Sequence, residues 1–246
     1  MDITFFSDYL ASTIHLTIPL AYAALGGLYS ERSGILNIAL EGMLITGAFT
    51  SAAATFYTGN VWIGIIAALI AGALVGLLHA FLCVTLRVNQ LVSGLAINLV
   101  AAGITSFLGR LVFASNSTQR LPNIMTIKIP IIANIPVIGS LLFGQDVLVY
   151  LLLIIIALTT YFLFYTNPGL NLRAVGEYPK AADTAGVSVV KTRYLAVMFG
   201  GCLASLGGAY LALVQVRYFT EEMSAGKGFI AMPLATPLGY RVSHLW

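Results

Sequence analysis

The stretch Gly42–Leu86, GMLITGAFTSAAATFYTGNVWIGIIAALIAGALVGLLHAFLCVTL, contains no Asp, Glu, Lys or Arg from end to end. A helix needs about 20 consecutive, mostly apolar residues to cross the hydrocarbon core of a bilayer. This run is long enough for two crossings, and the turn signal Thr58-Gly59-Asn60 divides it. It reads as two membrane helices joined by a tight turn, and that reading sets the class of the chain.

Charge-free windows recur on either side, at Tyr9–Ser30, Val88–Gly109, Val147–Leu172 and Tyr194–Val216. Together they predict six helices, near 10–29, 34–57, 61–85, 91–113, 147–166 and 194–215. Shorter broken or re-entrant pieces are expected at 120–145 and after 217. The fold class is therefore all-α, a polytopic transmembrane bundle. Composition agrees: 59% of residues are hydrophobic and only 9% charged, against about a quarter charged in a soluble domain. A net charge of +3 with no basic run gives nucleic acid nothing to bind. Cys83 and Cys202 lie in apolar segments without ligand spacing, and both read as small core residues. No metal or cofactor is expected. The N-terminus has no Lys or Arg before its first apolar run, which argues against a cleaved signal peptide.

Orientation follows from the basic residues. Arg32, Arg87, Arg173, Lys180, Lys191 and Arg193 fall in one set of connections. Arg120 and Lys128, with Arg110 near them, fall in the other. The first set is expected in the cytoplasm, which places the N-terminus outside.

Small residues recur every fourth position in two helices: Gly64, Ala68, Gly72, Gly76 and Ala80 in the third, and Ala196, Gly200, Ala204, Gly208 and Ala212 in the sixth. Such stripes let membrane helices approach closely. Glu41 is the sole acidic residue within a proposed span, one turn from Asn37. A carboxylate at that depth costs a few kcal/mol and must face a cavity or a partner. Either Glu41 lines a solute path or it makes a structural hydrogen bond to a neighbouring element. Glu31-Arg32 and Gly34 just ahead of it suggest a broken or partly unwound helix between Glu31 and Gly42. Asn98 in the fourth helix can contact a hydroxylated solute or pair across helices. His15 and His79 read as structural.

Asn167–Arg193, NPGLNLRAVGEYPKAADTAGVSVVKTR, is a polar island between two apolar runs. Asn167-Pro168-Gly169 reads as the end of the fifth helix. A short helix can start at Pro179, with Glu177 just ahead of it and Gly186 as C-terminal cap. Thr192 then caps the entry to the sixth helix. This small-sided helix, with alternating charge, suits docking into a groove of a soluble partner. No GxxxxGK[ST] motif occurs, because Glu221 stands where the first glycine belongs and Gly228 where Ser or Thr belongs. No catalytic constellation and no relay of buried acids appears either.

Five stretches carry a resemblance: GGLYSERSGILNIALEGMLITGAF (Gly26–Phe49), NQLVSGLAINL (Asn89–Leu99), the island from Gly169 to Val197, SLGGAYLAL (Ser205–Leu213) and AGKGFIAM (Ala225–Met232). The chain resembles the permease subunits of bacterial ABC importers, in the simple-sugar and nucleoside permease family. The resemblance implies a type II-like importer permease in the bacterial inner membrane, and no enzymatic activity of its own. It implies three protein partners: a cytoplasmic ATPase, a second permease subunit and an extracytoplasmic solute-binding protein. It also implies that Glu177, Lys180, Ala181, Ala182, Asp183 and Gly186 dock on the ATPase. Ser30–Gly42 would then be a broken helix near the translocation path, with Asn37, Glu41 and Asn98 as path candidates. The ERSG-x-LNI-x-LEG form implies a nucleoside or related sugar. Residues 1–232 make up the permease domain in this reading. After Met232 the family continues into further apolar segments, whereas this sequence reads PLATPLGYRVSHLW (Pro233–Trp246). A divergent tail and a shortened membrane domain are expected. Two other readings stay open, a self-contained channel or secondary transporter and a non-transporting remnant.

Overall fold

The computed structural model describes residues 3–113, 120–122 and 145–235. Helices carry the fold, and no β-strand occurs among the described residues. The long helices are α1 (Ile3–Arg32), α2 (Leu40–Thr58), α3 (Val61–Ala80), α4 (Gln90–Phe113), α5 (Val147–Tyr165) and α8 (Val189–Tyr210). Shorter ones are α6 (Asn167–Glu177), α7 (Pro179–Thr184) and α9 (Lys227–Ala235). α3 and α8 each run on through a π-helical stretch, Phe81–Thr85 and Leu211–Val216. Among the described residues, four helices are long and apolar enough to cross a membrane: Val61–Thr85, Gln90–Phe113, Val147–Tyr165 and Val189–Val216.

The turns follow local chemistry. α2 stops at Gly59, whose φ of 69° a side chain would strain, and Asn60 then caps α3 by accepting from the Trp62 amide at 2.9 Å. α1 closes in the same way on Gly34, φ 81°. Its amide donates to the Glu31 carbonyl at 2.9 Å, and the Ile35 amide donates to Ser30 at 3.1 Å.

α8 is the axis of the bundle. Of its most apolar window 78% is buried, against 28–33% for the other three candidate spans. Its small face takes backbone on three sides. A Cβ on Gly200 would overlap the Gly26 carbonyl of α1, one on Gly201 the Gly72 carbonyl of α3, and one on Gly208 the Leu44 carbonyl of α2. The α3 stripe faces inward at Gly64, Ala68, Gly72, Gly76 and Ala80, while Ile66, Ile70 and Leu74 on the far side are exposed. Without water there is no hydrophobic drive between helices, so close backbone approach through small residues holds them together.

Several boundaries differ from expectation. The second helix starts at Leu40 rather than near 34, because residues 33–39 are turn and extended chain. Asn167-Pro168-Gly169 does not only end α5. Thr166 caps a new helix there, accepting from the Gly169 amide at 3.2 Å, with Pro168 in its first turn. Glu177 therefore closes α6 as well as lying just ahead of α7. The sixth long helix begins at Val189 behind Ser188, and Thr192 lies within its first turn, donating to the Ser188 carbonyl at 2.9 Å. The pieces expected at 120–145 lie mostly outside the described residues, as does the tail beyond Ala235.

A candidate translocation and coupling site

Ser33 lies level with Arg193 at the start of α8, while Met43 lies level with Ser205, twelve residues further along. The chain passes from one contact to the other largely without helical hydrogen bonds, since residues 33–39 are non-helical. Ile35, Asn37, Ile38 and Ala39 are buried. Non-helical backbone inside a membrane bundle persists only where protein groups satisfy it, and here side chains do so.

Gln90 Oε1 accepts from the Leu36 amide at 2.7 Å, and His79 Nε2 lies 3.4 Å from the Leu36 carbonyl. Asn98 makes the pivotal pair: its Oδ1 accepts from the Gly42 amide at 2.8 Å and its Nδ2 donates to the Ile38 carbonyl at 2.9 Å. Of the two roles open to Asn98, the structure shows pairing across helices. Gly94, one turn earlier, lets α4 lie against Ile38 and Ala39.

Asn37 is 1% exposed. Its Nδ2 donates to Ser30 Oγ at 3.1 Å and lies 3.6 Å from Met43 Sδ. Its Oδ1 is buried and has no hydrogen-bond partner among the described residues. Glu41, in the first turn of α2, accepts from the Gly226 amide at 2.9 Å and from the Gly228 amide at 2.6 Å. It thereby holds the start of α9 against α2. Gly228 must be glycine, since a Cβ there would overlap Glu41's own backbone.

The segment leading to α9 is strained. Arg217, Glu222 and Ala225 have φ of 65°, 53° and 47°, a region costly for any residue but glycine. Three contacts tie it down. Phe219 packs 5.4 Å from Phe49 and 5.9 Å from Phe113, Arg110 forms a two-pronged ion pair with Glu221 at 2.7 and 3.0 Å, and Glu41 holds the far end. The Arg110 hydrogen bond holds the Glu221 carboxyl below its ordinary range. The glycine pair in AGKGF is the one sequence trace of Glu41's distant partner.

Replacing Glu41 with Gln leaves one acceptor and turns the other oxygen into a donor facing an amide. Hydrogen bonds to charged groups contribute roughly 1.5–3 kcal/mol, so Glu41→Gln should lower stability by about 2 kcal/mol, read as thermal unfolding in detergent. Unchanged melting would show that the carboxylate does not hold α9.

At the Arg32 end of the bundle, α6 and α7 form a surface step. Glu177, Lys180, Ala181, Asp183 and Gly186 are exposed, whereas Ala182 is 5% exposed and turns inward. Gly186, φ 85°, closes α7: its amide donates to Asp183 at 2.9 Å and the Val187 amide to Ala182 at 3.0 Å. Among the described residues no group of three His, Cys, Asp or Glu could hold a metal.

A helical membrane bundle with unwound backbone in its interior and a capped helix standing on one end is the membrane half of a transporter. Residues 9–239 match the family model described as branched-chain amino acid transport system / permease component, and the chain belongs to that family. It is 40% identical to the guanosine ABC transporter permease protein NupQ of Bacillus subtilis, over 94% of this chain and 76% of that one. It is 36% identical to the nucleoside ABC transporter permease protein NupC of Lactococcus lactis, over 96% of this chain and 78% of the relative. It is likewise 36% identical to a putative glucose ABC transporter permease protein, TsgC13 of Haloferax volcanii, over 98% and 74%. No solved structure matches. The chain is thus a multi-pass membrane permease subunit, a transport component and not an enzyme.

Proposed function

We propose that this permease provides the path for a nucleoside or simple sugar in an ABC importer driven by a separate cytoplasmic ATPase. One observation supports it above the others. The exposed helix α7 stands on the end of the bundle that collects Arg32, Arg87, Arg173, Lys180, Lys191 and Arg193, and the helix before it, α6, lies against the Ser33-Gly34 turn that opens the unwound segment. That excess of basic residues argues for a cytoplasmic face, where an ATPase would dock. The docking residues are Glu177, Lys180, Ala181, Asp183 and Gly186, with Ala182 packed beneath them and supporting the helix. The solute class is supported by the guanosine, nucleoside and glucose permeases among the relatives. We assign Asn37, with its spare acceptor, to the path, and Glu41 and Asn98 to it as the residues that hold the unwound segment and α9 in place around it. A second permease subunit and an extracytoplasmic binding protein complete the system, and residues 1–232 belong to its transmembrane permease domain.

Ala181→Trp is expected to abolish co-purification of the ATPase while the permease remains monodisperse. In vesicles holding the complete system, ATP should drive uptake of labelled guanosine or glucose. Solute flux through this chain alone, without ATP, would instead establish a self-contained channel.

A further inference from the structure

The end of α1, the last turn of α6 and the first turn of α8 meet at one point, the turn Ser33-Gly34. Arg193 Nε donates to the Ser33 carbonyl at 3.2 Å. A Cβ on Gly34 would lie 3.3 Å from Arg193 Nη2 and 3.4 Å from the Gly176 Cα. From the other side, a Cβ on Gly176 would overlap the Arg32 carbonyl and lie 3.3 Å from the Gly34 amide. Two glycines thus put the backbone of α6 directly on the backbone of the turn. A guanidinium fastens that turn to α8.

The neighbours on each side give this contact its meaning. One residue after Gly176 comes Glu177, then Tyr178 and the exposed helix α7. One residue after Gly34 comes Ile35, the first residue of the buried unwound segment. A path from α7 to that segment therefore runs through a direct contact of backbone on backbone. Bare backbone in contact transmits displacement because neither side has a rotamer to absorb it. Arg193 is half-buried, and the Ser33 carbonyl is its hydrogen-bond partner. A charge-assisted bond to a turn carbonyl fixes position at a helix C-terminus that already attracts cations.

We infer that Gly176 and Arg193 are positioning residues, a joint through which movement of α7 is delivered to the Ser33–Gly34 turn and so to residues 35–39. The joint deepens the ATPase-driven reading above and depends on it. It predicts a separation of two properties: weakening the joint leaves the ATPase bound and hydrolysing but no longer driving transport.

The test uses the complete importer in vesicles with Gly176→Ala and, separately, Arg193→Gln, which removes the fork without adding bulk. Solute transported per ATP hydrolysed should fall about tenfold, within the usual range of coupling between sites, with ATPase co-purification unchanged. A second readout follows the segment itself. Leu36→Cys, placed in a chain lacking Cys83 and Cys202, should change its thiol-labelling rate when ATP is added, and either joint variant should remove that change. If both variants keep the wild-type ratio of transport to hydrolysis and the ATP-dependent labelling change, the joint is wrong. If the unaltered chain binds no ATPase, the underlying reading fails instead, and the two failures are told apart by the wild-type control.

Discussion

Replacing Gly208 with alanine is expected to destabilise the bundle by about 3 kcal/mol, the upper end of the overpacking range. The added methyl would overlap the Leu44 carbonyl and come 2.7 Å from the Ala48 amide nitrogen. Neither obstacle is a flexible side chain. Both belong to the backbone of α2, and the same seam closes a second time, because a Cβ on Gly47 would overlap the Ser205 carbonyl of α8. α2 and α8 therefore cannot slide apart at one site without losing contact at the other. Ser205 Oγ also donates to the Met43 carbonyl at 2.8 Å across the same seam. Heating in detergent followed by size-exclusion chromatography reads the effect. Gly103, which has open space around it, is the control, and Gly103→Ala should melt with the wild type. Equal melting of both variants would contradict the close packing of α2 on α8.

Asn98→Leu should cost about 2–6 kcal/mol, because it strands two buried backbone groups at roughly 1–3 kcal/mol each. The Gly42 amide and the Ile38 carbonyl both lose their partners, in a place where no water replaces them. The size of the side chain is nearly conserved, so the loss is one of hydrogen bonding and not of volume. Asn98→Asp separates the two bonds. It keeps an acceptor for the Gly42 amide but sets a carboxylate against the Ile38 carbonyl, and it should be at least as damaging as Leu. Thermal unfolding measures both. Asn98→Leu melting like the wild type would mean that residues 35–39 find other partners.

The sequence shows where the long helices are because apolar length is a signal that tertiary packing does not override. Two features of the site are legible too. Glu31-Arg32 and Gly34 mark the break after α1, and Pro179 with Gly186 brackets α7. The start of α6 is hidden by a real ambiguity: Asn167-Pro168-Gly169 is as good a helix start as a helix stop, and only the Thr166 side chain, bound to the Gly169 amide, decides. Ala182 looks like its neighbours on the island, and a six-residue helix is too short for its buried face to be read from periodicity. Glu41 stands out as an isolated charge, but its partners are backbone amides 185 and 187 positions away, and amides carry no sequence signature. The π-helical stretches at Phe81–Thr85 and Leu211–Val216 have no local marker at all.

The central place of α8 also bears on how the chain is made. Synthesis delivers α1 through α4 to the membrane before α8 emerges, yet the carbonyls of Gly26, Leu44 and Gly72 face that later helix. Until then these earlier helices have only one another, and their narrow faces are open to lipid or to an assembly factor. Consolidation of the bundle is consequently a late event, triggered when α8 enters and fills the gap that the earlier helices already surround.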